Sequence, residues 1–218
     1  MRTGIMEQSD ESTKIVGLTK GRIEALTDGI FAFAMTLLVT GMDLPIGAHS
    51  VAPGTVREIL VGLFPDFMHY IIAFVTLAGF WVAHHVQYHS IRFIDRRLLL
   101  INMASLLFVA LIPFSTALVG DYPYDSLASI VLEANLLIIG LLFYWQWSYA
   151  SKDYRLVDRS LGPAAIAAGR QRNLVVPALS VAAIILALLN MPWSTAIYFL
   201  VPILLVAIPS GRGRERSD

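Results

Sequence analysis

Apolar residues run through this chain in long stretches, each closed by charge, proline or a polar cluster. The first spans about Arg22 to Leu44 and stops at Pro45. A short amphipathic lead-in, Val56 to Phe64, precedes the second, about Asp66 to Ser90. Four more follow at about Arg96–Val119, Asp125–Ala150, Asn173–Leu189 and Trp193–Ile208. A bilayer core roughly 30 Å thick takes about 20 helical residues to cross. The first four stretches meet that length and the last two fall short of it. The turn signal Asn190-Met191-Pro192 separates those two, so they read as two crossings rather than one re-entrant hairpin. The pattern predicts an all-α, polytopic membrane protein with six transmembrane helices. Residues 21–209 form one transmembrane domain, and 1–20 and 210–218 are expected to be disordered tails. Lys152 to Arg172 is expected to be a loop with some helix.

Basic residues orient this map. With the N-terminus in the cytoplasm, the inner segments are 1–22, 90–97, 150–172 and 209–218. Of the 16 Lys and Arg residues, only Arg57 falls outside them. Such an asymmetry is the positive-inside pattern, and it requires both termini to be cytoplasmic. The outer link Gly120 to Asp125 has no basic residue and two tyrosines, as an interface would. Tyr144, Trp145, Trp147 and Tyr149 fall where the fourth helix meets the inner interface and read as an aromatic belt.

Composition agrees. The 218 residues are 56% hydrophobic and 15% charged, against about 25% charged in soluble domains. Net charge is zero, so no attraction to nucleic acid is implied. Cysteine is absent, which excludes disulfides and thiolate metal sites. Glu7 to Thr13 is polar where a secretory signal needs an apolar core.

The first helix carries the unusual chemistry. At about 100° per residue, Gly29, Phe33, Leu37, Thr40 and Leu44 fall on one stripe, with Thr36 flanking it and Arg22 near its cytoplasmic end. Asp28 falls on roughly the opposite side. A carboxylate inside a span is expensive and has a partner or a function. By depth, His84, His85 and Asn102 are its candidate partners, in a polar layer tying the first three helices together near the cytoplasmic face.

Arg22-x-x-x-Leu26-Thr27-Asp28-Gly29, followed by Phe31-Ala32-Phe33-Ala34-Met35-Thr36-Leu37-Leu38-Val39, resembles the R-x-x-x-F-S-D signature of the transmembrane protein 175 family. The likeness continues in Phe80-Trp81-x-x-His84-His85, Asp95-Arg96-Arg97-Leu98-Leu99, Asn102 and Leu111-Ile112-Pro113-Phe114. It is specific over 22–120 and general beyond. The resemblance implies a single-repeat, homotetrameric, potassium-conducting channel in a cell membrane, the bacterial inner membrane for a chain of this type. It implies a pore lined by the first helix, with a constriction at Phe33, Thr36, Leu37 and Thr40. Leu26 replaces the signature phenylalanine and Thr27 its serine, and Thr40 puts a hydroxyl where a third apolar layer is expected.

Other chemistry is thinly represented. His85 and His89 share a helix face, but no HExxH and no second carboxylate-rich helix completes a metal site. Glu133, near Asn135, reads as an interhelical hydrogen bond before a proton relay. No nucleophile–base set marks an enzyme, no nucleotide-binding motif appears, and no cofactor is expected. Neither a TVGYG-type filter nor an arginine-rich voltage sensor is present. A secondary transporter is the second reading, although the two halves show no paired broken helices.

Overall fold

The computed structural model describes residues 19–42, 55–191 and 193–208. The expected tails at 1–20 and 210–218 therefore lie almost wholly outside the described residues, as does the end of the first stretch at Leu44.

The described chain is helical, apart from one isolated bridge between Ile91 and Val157. Helix α1 (Lys20–Thr40) comes first, followed by the amphipathic α2 (Thr55–Gly62) and the long α3 (Phe64–Ser90). Next, α4 (Arg96–Ala110) and α5 (Ile112–Asp121) form one path broken at Leu111. Then come α6 (Ser126–Ser151) and α7 (Pro163–Leu188). The 3-10 turn Ser194–Phe199 and the short α8 (Leu200–Ala207) end the path. Five of these paths are long and apolar enough to cross a membrane: α1, α3, α4–α5, α6 with the turn after it, and α7. The sixth stretch is shorter, at Ser194–Ala207.

Several boundaries follow from local chemistry. Pro113 has no N–H to give the carbonyl four residues back, and the chain tightens at Leu111, whose N–H bonds Phe108 O at 3.1 Å. The side chain of Asp95 accepts from Leu98 N at 2.8 Å and that of Asp125 from Leu127 N at 2.8 Å, starting α4 and α6. Helix α7 starts ten residues before the expected Asn173. Gly162 and Pro163 form a helix start, and the alanines that follow are strong helix formers. Arg170, Gln171 and Arg172 interrupt the apolar signal without breaking the helix.

Packing divides into two cores. The larger gathers Phe31 and Leu38 of α1, Leu77 and Phe80 of α3, Val109 of α4, Ile139 and Phe143 of α6, and Val176 and Ala183 of α7. The smaller lies at the end of the bundle that carries Arg92, Arg96, Arg97 and Lys152, with Ile23, Tyr88, Ile91, Leu98, Trp147, Leu156 and Val157. Trp147 is thus a core residue, 4% exposed, and its Nε1–H donates to Ile166 O at 3.0 Å. Its expected neighbour in an aromatic belt, Trp145, is 57% exposed. Two positions on a helix differ by about 200°, so one indole faces inward and the other outward.

Helices α6 and α7 pack where a side chain is missing. A Cβ on Gly140 would lie 2.6 Å from Pro177 Cδ, and one on Gly169 would lie 2.6 Å from Trp147 Nε1. Small residues of this kind let helix backbones approach closely in a bilayer, where lipid gives no hydrophobic drive to pair. The ring of Pro177 fills the groove that Gly140 opens, so this proline sits inside an unbroken α7.

The last segment retraces α7. Asn190 takes a left-handed conformation, φ 57°, at the turn. Tyr198 Oη–H then donates to Ser180 Oγ at 2.9 Å, and Arg172 Nη2 donates to Leu205 O at 3.2 Å. Arg172 stands 16 residues before Leu188, about 24 Å along the helix.

Candidate functional site

Both faces of α1 are largely apolar, yet only one is buried. Ile23, Thr27, Phe31, Ala34 and Leu38 recur every three or four residues and pack into the chain's own core. On the other side Leu26, Gly29, Phe33, Thr36 and Thr40 are exposed and Leu37 is half-buried. Phe33 alone is 65% exposed. A Cβ added at Gly29 meets nothing within 4 Å. Only 28% of the most apolar part of α1 is buried, against 50% for α6. The stripe expected from the sequence is therefore the surface that the chain itself leaves uncovered.

The two threonines of that face are locally bound. Thr36 Oγ1–H donates to Phe33 O at 2.8 Å, and Thr40 Oγ1–H donates to Leu37 O at 2.7 Å. With its only proton committed to the helix, each hydroxyl offers its oxygen outward as an acceptor. Such an oxygen suits a cation or the hydrogens of its hydration water, and does not suit an anion.

Behind this face lies a polar anchor in two parts. In the buried part, His84 Nε2–H donates to Asn102 Oδ1 at 3.0 Å, and Asn102 Nδ2 donates to Thr27 Oγ1 at 3.2 Å. Thr27, His84 and Asn102 are 0%, 2% and 0% exposed, so α1, α3 and α4 are joined by a run of hydrogen bonds with no access to water. His84 also stacks on Tyr88, ring centroids 4.0 Å apart. In the open part, Trp81 Nε1–H donates to Asp28 Oδ1 at 2.8 Å. His85 is exposed and tilts beside the Trp81 ring at 6.0 Å.

The expected polar layer thus exists with a different wiring. Asp28 does not join His84, His85 or Asn102; the hydroxyl of Thr27 joins Asn102 and, through it, His84. Thr27 and Asp28 are about 100° apart on α1, so only one of them faces the cleft between α3 and α4. Sequence reasoning missed the continuation of this layer, in which Gln87 Nε2 donates to Asn173 Oδ1 at 2.9 Å and links α3 to α7. The available signal was the spacing of Gln87, three residues beyond His84 on the same buried face. Arg22 is exposed near the start of α1, where Lys20 Nζ donates to Ile91 O at 2.8 Å.

Glu133 is 0% exposed; the Ser194 hydroxyl stands near its carboxyl, but no hydrogen bond of ordinary geometry reaches either oxygen among the described residues. Asn135 instead donates through Nδ2 to Ser115 Oγ at 3.3 Å. The expected interhelical bond thus falls to Asn135. No group of three or more His, Asp or Glu is placed to hold a metal ion among the described residues.

Residues 22–113 match the family model described as "Endosomal/lysosomal potassium channel TMEM175". A potassium channel of Streptomyces collinus is 30% identical over 156 residues, covering 70% of this chain and 74% of that protein. The chain belongs to the TMEM175 family. The matched region spans every residue of the anchor from Thr27 to Asn102. The likeness of fold runs further. The crystal structure of a lysosomal potassium-selective channel TMEM175 homolog from Chamaesiphon minutus superposes with a TM-score of 0.73 at 26% identity. That match covers 89% of this chain and 98% of the other. The human TMEM175, named an endosomal/lysosomal proton channel, is 28% identical over 136 residues, which are 58% of this chain and 27% of the human protein. This TMEM175 chain is a membrane protein by its family and its five long apolar helices.

Proposed function

We propose that this protein is a potassium-permeable cation channel, in which four copies bring their α1 helices together around a central pore. The carrying observation is the uncovered face of α1, whose Phe33, Thr36, Leu37 and Thr40 form the constriction. Apolar rings at Phe33 and Leu37 resist wetting, and the Thr36 and Thr40 oxygens supply acceptors between and beyond them. Permeation is then limited chiefly by the cost of stripping water from the ion at this level. Thr27, Asp28, Trp81, His84 and Asn102 hold the lining helix at a fixed angle rather than touch the ion, with His85 beside Trp81, while the motif residues Arg22 and Leu26 are exposed on α1. The potassium-channel names of the Streptomyces and Chamaesiphon relatives support the choice of ion.

The channel domain covers 21–209 and crosses a cell membrane six times, with both termini cytoplasmic. The distribution of lysine and arginine supports this orientation. The return of α8 to the level of Arg172 supports the sixth crossing.

The test is flux from liposomes holding purified protein, potassium against sodium, for the wild type and for Leu37→Ala. Potassium-favouring flux that changes with Leu37 supports both the channel and its lining. A monomer or dimer that carries ions at a saturating, temperature-steep rate would instead favour a secondary transporter.

A further inference from the structure

Helices α4 and α6 leave a groove of about 690 Å³ at their inner ends. Three cations line it: Arg97 at the start of α4, Lys152 just after α6, and Arg155 in the turn beyond. All three are exposed, and among the described residues no carboxylate pairs with any of them. By contrast, Lys20 pairs with Glu24 at 3.7 Å and Arg92 with Asp158 at 3.4 Å. The carboxylate beside this groove, Asp95, is already engaged by Leu98 N and by the Tyr149 hydroxyl. Arg155 is held in place by the face of that same tyrosine, its guanidinium carbon 4.6 Å from the ring centroid. Ser148 also lines the groove, with its hydroxyl oxygen buried behind the surface.

The groove changes character along its length. Toward the middle of the helices its wall becomes Leu100, 58% exposed, and Trp145, 57% exposed. A cationic end, an indole at the boundary and an apolar wall beyond is the profile of one molecule: a phosphate head on an acyl tail. Basic pockets between membrane helices on the cytoplasmic side take anionic headgroups for this reason. A water-soluble anion would have no use for the Leu100–Trp145 wall.

We infer that the Arg97–Lys152–Arg155 groove is a binding site for an anionic phospholipid, the three cations on its phosphate and Leu100 and Trp145 along its first acyl carbons. The site lies at a bilayer surface because the chain is a membrane protein. Its assignment to the cytoplasmic leaflet rests on the orientation proposed above.

Delipidated full-length protein is titrated with phosphatidylglycerol or phosphatidylcholine and the bound lipids are counted by native mass spectrometry, a readout that needs no ion flux. Failure of the channel reading and failure of this one are therefore separable. The expected result is a preference of about a hundredfold for phosphatidylglycerol, about fivefold from each of three cations. Lys152→Gln weakens it about fivefold, and Arg97→Gln with Lys152→Gln and Arg155→Gln weakens it about a hundredfold, each surface cation counting about fivefold. Lys152 is exposed and makes no ion pair among the described residues, so its single variant folds even if the triple does not. Arg92→Gln, outside the groove, leaves the preference unchanged. Equal retention of both lipids, or a preference untouched by Lys152→Gln, overturns the site. Displacement of the lipid by millimolar inorganic phosphate also overturns it, since the ligand would then be a soluble anion.

Discussion

Trp81 on α3 donates its indole N–H to the carboxylate of Asp28 on α1, 53 residues away, at 2.8 Å. The acceptor is one oxygen, so an amide serves as well as a carboxylate. Asp28→Asn should keep the contact and largely preserve assembly. Asp28→Leu and Trp81→Phe should each cost about 1–2 kcal/mol, a hydrogen bond at a partly exposed site. Thermal unfolding in detergent, read with size-exclusion chromatography, checks this. Normal assembly and flux from Asp28→Leu would remove the anchoring role.

Asn102 is the node of the buried part, accepting from His84 and donating to Thr27. Replacing it by leucine strands both partners without access to water, at roughly 1–3 kcal/mol for each. Thr27→Val strands only the amide and should cost about half as much. A double-mutant cycle between Thr27→Val and Asn102→Leu should therefore be strongly non-additive. Additive losses would mean that the two side chains do not act as a unit.

At Gly140 the neighbouring proline ring leaves no room for a methyl group. Gly140→Ala should destabilise by about 1–3 kcal/mol through overpacking. Adding Pro177→Ala should recover most of that loss. A variant pair in which Pro177→Ala gives no relief would show that the close approach is not what Gly140 secures.

Glu133 is a buried carboxyl with only the Ser194 hydroxyl near it and no well-formed hydrogen bond among the described residues. A buried polar group left unsatisfied costs about 1–3 kcal/mol. Glu133→Leu should leave the protein as stable as the wild type or raise its melting temperature. A drop of several degrees would show that Glu133 makes an interaction in the membrane-embedded oligomer that a single chain lacks.

On the uncovered face of α1, Thr40 replaces an apolar layer with a hydroxyl. One more apolar ring should dewet more readily. Thr40→Leu should lower basal ion flux, and Phe33→Ala should raise it. Unchanged or higher flux from Thr40→Leu counts against gating by dewetting at this level.

The sequence by itself determined the long apolar helices, most of their ends (the start of α7 apart), the sorting of lysine and arginine, and the stripe on α1. These are local or compositional: they follow from the free energy of placing each residue in lipid and from the helical repeat. It also named the members of the polar anchor. Their pairing was decided only in the tertiary structure, because Thr27 and Asn102 stand 75 residues apart and a rotation of about 100° chose Thr27 over Asp28 for the cleft. The same holds for the burial of Trp147 beside an exposed Trp145. It holds too for the groove, where Arg97 meets Lys152 and Arg155 from across the chain. Hydropathy and periodicity say that a side chain is hidden or charged. Which neighbour it meets depends on how two helices cross, as where the ring of Pro177 on α7 sits against the absent side chain of Gly140 on α6.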